Sequence, residues 1–389
     1  MPFNFRHFVR LFRRAFREAT TARRRKVLWV LFFAVPLIAG LNALCLALDR
    51  IFFPGFARVE VRAPVFIIGH ARSGTTLLHE LLAADDQFNW FMAYELFLPS
   101  LLQKKLVRAL GRFDRDRLGG RYESRLRAWQ DRVFAAGRQM HPMDLMGPEE
   151  DEFLLALTLY SGTAGVVFPN LDDLQPYSRF DEMLDAPTRH RVMAFYRACV
   201  QRQLVLNGTL KTHLSKNPMF SSKVESLIEL FPDARFAVLV RNPFETIPSI
   251  QKMMVRNYKA SGSDRAQIEA ALAIVGENSI AHYVYPFEVF AKHPETRWTA
   301  IPYELLTTNP AAAMRKTYED LGIPITTSSE AAMARAAGHA RAYKPAHDYS
   351  LAEFGLTPTQ IREQLAPLFV RFAWPEPADA ATPAREAVR

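Results

Sequence analysis

The chain has 389 residues, 49 of them Lys or Arg and 40 Asp or Glu, with a hydrophobic fraction of 49%; this is room for one large or two ordinary domains and excludes a disordered or collagen-like chain. Of the net charge of +9, residues 1–26 hold +8, from nine basic residues against Glu18 alone, so the remaining +1 excludes a duplex-binding protein with a basic nucleic-acid face. Two cysteines, Cys45 and Cys199, exclude a disulfide framework and a structural zinc site.

In chain order, Phe5, Phe8, Phe12 and Phe16 recur at helical spacing among arginines, the pattern of a helix lying on an anionic membrane surface. Val27–Leu48, "VLWVLFFAVPLIAGLNALCLAL", adds 22 residues without a charge, long enough to cross a bilayer. The basic flank and the apolar run are both too long for a secretory signal. Pro36, with Gly40 and Asn42, predicts a bent, re-entrant or shallow segment rather than a straight span. "IFFPGF" continues the interfacial character, so residues 1–62 are expected to form a basic arm and membrane anchor. Residues 63–375 are expected to form the folded domain, and the Pro/Ala-rich residues 376–389 a loose tail.

"VFIIGHARSGTT", residues 65–76, reads as a strand buried on both faces, a loop, and a helix start. Gly69 and Gly74 let the backbone wrap an anion, and the helix start offers unpaired N–H groups. The spacing is that of the nucleotide-hydrolase loop, but Thr75 stands where that loop has its lysine, and Arg72 supplies the charge from inside. A metal-free anion held by amides, by the hydroxyls of Ser73, Thr75 and Thr76, and by one arginine fits better than a magnesium nucleotide.

"GPEEDEFLL" gathers Glu149, Glu150, Asp151 and Glu152 at a helix start, where acids either complement the helix dipole or supply a base. In "LKTHLSKNP", Lys211 and His213 fall on one face of an extended segment; a histidine there is poised to take a proton, and a lysine to neutralise a departing oxygen. "FAVLV" reads as a second buried strand, followed at once by Arg241 in "RNPFETIPS", with Ser249 eight positions on. A third strand ends near Tyr303 in "RWTAIPYELL". Strands separated by helical stretches predict an α/β fold, a P-loop-like and mainly parallel central sheet flanked by helices, with its sites at the carboxyl ends of the strands.

Taken together, "GHARSGTT", "LKTHL", "RNPFETIPS" and "PYELL" resemble, in order, the motifs of the sulfotransferases that use 3'-phosphoadenosine 5'-phosphosulfate, over residues 63–372 or so. The resemblance extends to the bacterial membrane-associated branch through "HDYSLAEFGLT". It implies that Arg72, Ser73, Gly74, Thr75 and Thr76 hold the 5'-phosphosulfate, that Arg241 and Ser249 hold the 3'-phosphate, and that Tyr303 lies near the adenine. Lys344 is a candidate for a C-terminal contact. It further implies His213 as base, Lys211 and Arg72 as charge stabilisers, transfer without a metal, and a donor kept in the bacterial cytoplasm. The expected location is therefore the inner face of the bacterial membrane, and the expected acceptor a lipid or other amphiphile. Glu150 stands as the rival base. The competing readings are a P-loop kinase or hydrolase, which lacks its loop lysine here, and a non-catalytic membrane scaffold.

Overall fold

The computed structural model describes residues 1–134, 144–339 and 357–375. Strand β1, Val65–Gly69, is buried at every position. With β2 (Phe88–Asn89), β3 (Thr212–Lys216), β4 (Arg235–Val240) and β5 (Arg297–Pro302) it forms a sheet in the order β2-β3-β1-β4-β5, each pairing parallel. Successive side chains of a strand point to opposite faces. Here both faces are apolar: Phe66, Ile68, Phe236 and Val238 join one core, and Val65, Ile67, Ala237 and Leu239 the other.

Parallel strands need long crossovers, which here are helical. Ahead of residue 135 lie α1 (Phe5–Arg17), α2 (Ala22–Phe52), α3 (Thr75–Ala83), α4 (Ala93–Phe97), α5 (Leu101–Leu118) and α6 (Arg121–Phe134). Between there and β4 come α7 (Glu152–Ala156), α8 (Leu171–Ser178), α9 (Phe180–Met183), α10 (Ala186–Asn207) and α11 (Val224–Leu230). The rest is α12 (Pro243–Ala260), α13 (Arg265–Lys292), α14 (Tyr303–Thr308), α15 (Pro310–Leu321), α16 (Thr327–His339), α17 (Pro358–Gln364) and α18 (Ala366–Phe372). The chain leaves β1 first toward β2 and β3 and later toward β4 and β5, so the order reverses at β1, the switch point where open α/β sheets bind ligands.

The register brings four strand ends to one edge. Lys216 pairs with Ile67, Gly69 with Leu239, and Val240 with Pro302. The segments that leave β3, β1, β4 and β5 therefore emerge side by side, at strand spacings of about 4.8 Å.

The N-terminal helices differ from expectation in two ways. On α1, Phe8, Leu11, Phe12 and Ala15 are buried in the first core, Phe12 edge-on to Phe168, so most of the aromatic stripe faces protein and the arginines face out. A periodic apolar stripe states that a helix has a partner, not whether that partner is protein or lipid. Helix α2 then runs 31 residues unbroken through Pro36 instead of bending into a re-entrant loop. Three polar groups on one face fasten it along its length. Arg24 donates to the Val167 carbonyl (2.7 Å), Asn42 to the Phe97 carbonyl (3.0 Å), and Asp49 pairs with Arg202 (2.7 Å).

Candidate functional site

The loop between β1 and α3 is shaped by its glycines and by one strained arginine. Gly69 has φ +131°, and a Cβ there would lie 2.4 Å from the Leu239 carbonyl oxygen; Gly74, φ +95°, lies against the Tyr303 ring. Only glycine fits either place. Ser221 holds the strand end, accepting from the Gly69 N–H (3.0 Å) and donating to its carbonyl (3.1 Å). Ser73 is buried and donates its hydroxyl to the His70 carbonyl (2.6 Å), closing the turn from within. Thr75 and Thr76 begin α3, whose first turn leaves backbone N–H groups without intrahelical acceptors.

Arg72 has φ +72°, a conformation that costs a non-glycine residue on the order of 1–3 kcal/mol and persists only when its surroundings enforce it. They do. Its Nε donates to the Ser249 hydroxyl (3.2 Å), and its carbonyl accepts from Arg241 Nη1 (3.1 Å). Arg241 also pairs with Glu245 (2.6 Å) and lies 3.9 Å above the Tyr303 ring, while its own carbonyl accepts from Tyr283 OH (2.9 Å). Tyr283 in turn stacks on His70, with ring centroids 4.7 Å apart. Burial pushes the His70 imidazole down to about 3, so it serves as a neutral flat surface. Four residues singled out from separate stretches, Arg72, Arg241, Ser249 and Tyr303, thus form one connected cluster. Its two guanidinium groups and its hydroxyls suit an anion with more than one phosphate-like group.

The third stretch, "LKTHLSKNP", arranges itself differently from expectation. Lys211 precedes β3 at its amino end, five residues and so about 16 Å along the strand from the edge that carries the loop. His213 is enclosed: its side chain is fully buried, with Nε2 at 3.1 Å from Asp151 and 3.2 Å from Tyr196 OH and its ring against Phe91. Alternation does put Lys211 and His213 on one face, but at His213 that face looks into protein. Lys216, at the carboxyl end of β3, is the residue the edge receives. Its ammonium, on a side chain 1% exposed, lies 2.9 Å from Glu150 and 3.5 Å from Glu149. Sequence reasoning missed it, although a signal was present: "KNP" at 216–218 repeats the "RNP" at 241–243. In both, a basic residue lies at a strand end and the asparagine side chain caps the turn after it, accepting from Met219 N (2.9 Å) and Phe244 N (3.0 Å).

Each of the four acids is partnered, two of them by the same lysine. Glu149 and Glu150 face Lys216, Asp151 accepts from Tyr196, and Glu152 accepts from Lys223 (3.2 Å) and Asn217 (2.8 Å). These contacts, rather than the dipole of the five-residue α7, account for the cluster. Glu149, Asp151 and Glu152 have side chains no more than 3% exposed, whereas Glu150 is 23% exposed and reaches the surface beside Lys216. His79 on α3 completes the interior; burial and the Lys216 charge hold it well below the ordinary imidazole range, and so neutral. Asn242 donates to the Pro375 carbonyl (2.9 Å), which ties the C-terminal residues over α12. Lys344 lies outside the described residues.

Residues 64–327 match the sulfotransferase family. The chain is 28% identical over 272 residues to the omega-hydroxy-beta-dihydromenaquinone-9 sulfotransferases Stf3 of Mycobacterium bovis and Mycobacterium tuberculosis. The match takes in 67% of this chain and 63% of theirs, so the chain spans somewhat less than two thirds of the length of these curated relatives. Among solved structures, sulfotransferase STF1 from Mycobacterium tuberculosis H37Rv superposes with TM-score 0.69 at 20% identity, covering 94% of this chain and 92% of that one. STF9 from Mycobacterium avium does so with TM-score 0.69 at 17% identity, covering 97% and 98%. At these identities the superpositions carry the fold.

Proposed function

Because the chain belongs to the sulfotransferase family, we propose that it moves a sulfuryl group from 3'-phosphoadenosine 5'-phosphosulfate to a hydroxyl, or an amine, of an amphiphilic acceptor at a membrane. The shared edge of the sheet carries this reading: a glycine-shaped loop, a paired arginine and serine, and a lysine–glutamate pair open side by side. Residues 63–375 form the sulfotransferase domain of this proposal, with 1–62 laid against it.

In this assignment the amides of residues 72–76, with Arg72, hold the 5'-phosphosulfate. Arg241 and Ser249 bind the 3'-phosphate, which takes over the guanidinium now held by Glu245, and Tyr303 flanks the base. Glu150 removes the acceptor's hydroxyl proton as the acceptor oxygen bonds to sulfur. The bond from sulfur to the phosphate's bridging oxygen breaks, leaving a sulfate ester and adenosine 3',5'-bisphosphate. Lys216 and Arg72 offset the charge that collects on the bridging oxygen, by analogy with phosphoryl transfer. Glu150 replaces His213 as the proposed base because a base must reach the proton it takes, and the imidazole is enclosed by Asp151, Tyr196 and Phe91. Lys211 has no part in the proposal, being at the far end of β3.

The membrane reading rests on the outer faces of α1 and α2. Arg6, Arg10, Arg13 and Arg17 line a surface cleft along α1, and Trp29, Phe33, Leu37, Leu41 and Leu44 are exposed along α2. Arg24 and Asp49 fasten α2 to the domain at points 25 residues, or roughly 37 Å, apart. A crossing helix would draw the domain into the hydrocarbon with it, so we place α2 along the inner face of the membrane, with the whole chain cytoplasmic. The Stf3 relatives' name supplies the acceptor class proposed here, a hydroxylated quinone-like lipid.

The test is transfer of labelled sulfuryl from the donor nucleotide to extracted membrane lipids. A labelled lipid whose formation requires both the donor and Glu150 supports the proposal. Absence of any labelled product, with no binding of adenosine 3',5'-bisphosphate, leaves the scaffold reading; turnover of a magnesium nucleotide instead leaves the kinase.

A further inference from the structure

Helices α5 and α6 form a hairpin that the site does not use. Gly119 and Gly120, both left-handed, make the turn, and Asp114 secures it by accepting from the N–H groups of Tyr122 (3.1 Å) and Glu123 (2.8 Å). On α5, Leu106, Leu110 and Phe113 are 57–58% exposed; on α6, Tyr122, Leu126, Trp129 and Val133 are 44–59% exposed. These positions follow i, i+4, i+7 and, on α6, i+11, so each helix carries a single apolar stripe, and both stripes are open to solvent. No described side chain of α6 is buried. A helix of 14 residues is marginal in water on its own account, and most helical stability comes from packing an apolar face. Leu126 and Val133 on α6, like Leu110 on α5, keep about half of their surface available for such packing.

Charge selects the partner. Residues 101–134 hold ten basic side chains against four acidic ones, a net of +6. Arg125 and Arg132 immediately precede the stripe positions Leu126 and Val133, and Arg112 immediately precedes Phe113. An apolar stripe with an aromatic residue and bordering arginines is the pattern of a helix lying in a lipid interface. The hairpin also adjoins the C-terminal end of α2: the buried Asp49 accepts from the N–H groups of Leu101 and Leu102, and Lys105 lies 5.4 Å from the Phe53 ring. At its other end, Gln130 accepts from the N–H of Leu145 (2.9 Å), three residues before Pro148 and the acids of the site.

We propose that the α5–α6 hairpin is a second membrane-docking element, which seats its apolar stripes among the acyl chains and its arginines among anionic phospholipid headgroups. Together with α2 it fixes how the sheet edge at Glu150 addresses the bilayer. This rests on the reading of the chain as a membrane-surface enzyme, and the test separates the two.

The full chain is floated with vesicles of phosphatidylcholine alone and of an equimolar mixture with phosphatidylglycerol. Leu110→Glu with Leu126→Glu is expected to weaken partition into the mixed vesicles about tenfold or more, the two leucines losing their burial. Arg125→Gln with Arg132→Gln is expected to flatten its salt dependence. Vesicles of brominated lipid are expected to quench a part of the tryptophan emission that Trp129→Phe removes; this arm uses a conservative change and does not depend on how the charged variants fold. The hairpin proposal is overturned if its variants bind as the parent chain does while Phe33→Glu with Leu37→Glu on α2 abolishes binding, an outcome that leaves the membrane reading intact. It is also overturned if the leucine variants lower the chain's mass in solution, which would make a second copy the occupant. If the parent chain floats with neither vesicle, both readings fall.

Discussion

Lys216 with Glu149 and Glu150, and Arg202 with Asp49, are both ion pairs whose cations are almost wholly buried, yet their surroundings differ. Every partner of Asp49 belongs to the fold: it accepts from Ser100 Oγ (2.9 Å), from the Leu101 and Leu102 N–H groups (2.8 and 2.9 Å) and from Arg202 Nε (2.7 Å), and the guanidinium stacks 3.7 Å over Phe56. At the sheet edge one carboxylate of the cluster, Glu150, still reaches the surface, next to a loop that ends in a helix start. Burial and pairing alone therefore do not mark a site. The mark is a buried charge whose partner remains accessible, beside backbone donors that a helix start leaves over. A pair sealed on all sides serves structure instead, because removing either partner leaves a buried charge uncompensated.

If that distinction holds, the two regions must fail differently. Glu150→Gln is expected to lower turnover by about 10² to 10⁴ with nucleotide affinity and thermal stability unchanged, as for loss of a general base; equal loss in His213→Gln with normal activity in Glu150→Gln would return the role to the imidazole. Asp49→Ala is expected to cost about 3–5 kcal/mol in denaturant unfolding, leaving Arg202 buried without its carboxylate, while protein that remains folded turns over normally. Lys216→Ala is expected to lower turnover by about 10² to 10³, the effect of losing one preorganised donor to developing charge, with Lys211→Ala near the parent value. Comparable losses from both lysines would place the reacting groups elsewhere.

The smallest effect concerns α1. Burial first, and then the Arg10 charge, push the His7 imidazole down to about 4, and neither ring nitrogen has a hydrogen-bond partner among the described residues. Below the ordinary imidazole value of about 6.5 the unfolded chain takes up a proton that the folded ring refuses until about 4, so stability falls as pH drops across that window. His7→Phe is expected to flatten this fall by at most about 1.4 kcal/mol per pH unit, read from unfolding at a series of pH values. An unchanged slope would mean that α1 does not shield His7 from water.

The residues legible in the sequence are those that a local rule governs. β1 and its loop are legible because unbroken apolar runs with glycines at fixed spacing after them have few other uses, and Arg241, Ser249 and Tyr303 because strand ends in parallel sheets converge. Lys216 is not, because alternation within "LKTHLSKNP" assigns side chains to faces but does not state where along the strand the edge falls; the pairing of Lys216 with Ile67 does. The aromatic stripe of α1 has the pattern of a lipid contact yet packs on Phe168, since periodicity is silent about the partner. The hairpin's +6 is hidden by a sum over residues 27–389 that comes to only +1.

The most direct test of the central claim is a calorimetric titration of the full chain with adenosine 3',5'-bisphosphate and with adenosine 5'-monophosphate. Arg72, Arg241 and Ser249 are assigned to one bisphosphate-shaped site, so the 3',5' compound is expected to bind more tightly by about 1.5–3 kcal/mol, roughly tenfold or more, the worth of hydrogen bonds to a charged group. Arg241→Ala or Ser249→Ala is expected to reduce that difference while leaving the 5'-monophosphate affinity in place. Equal affinity for the two nucleotides in the parent chain, or equal loss of both in either variant, would contradict the assignment of the sheet edge as the donor site.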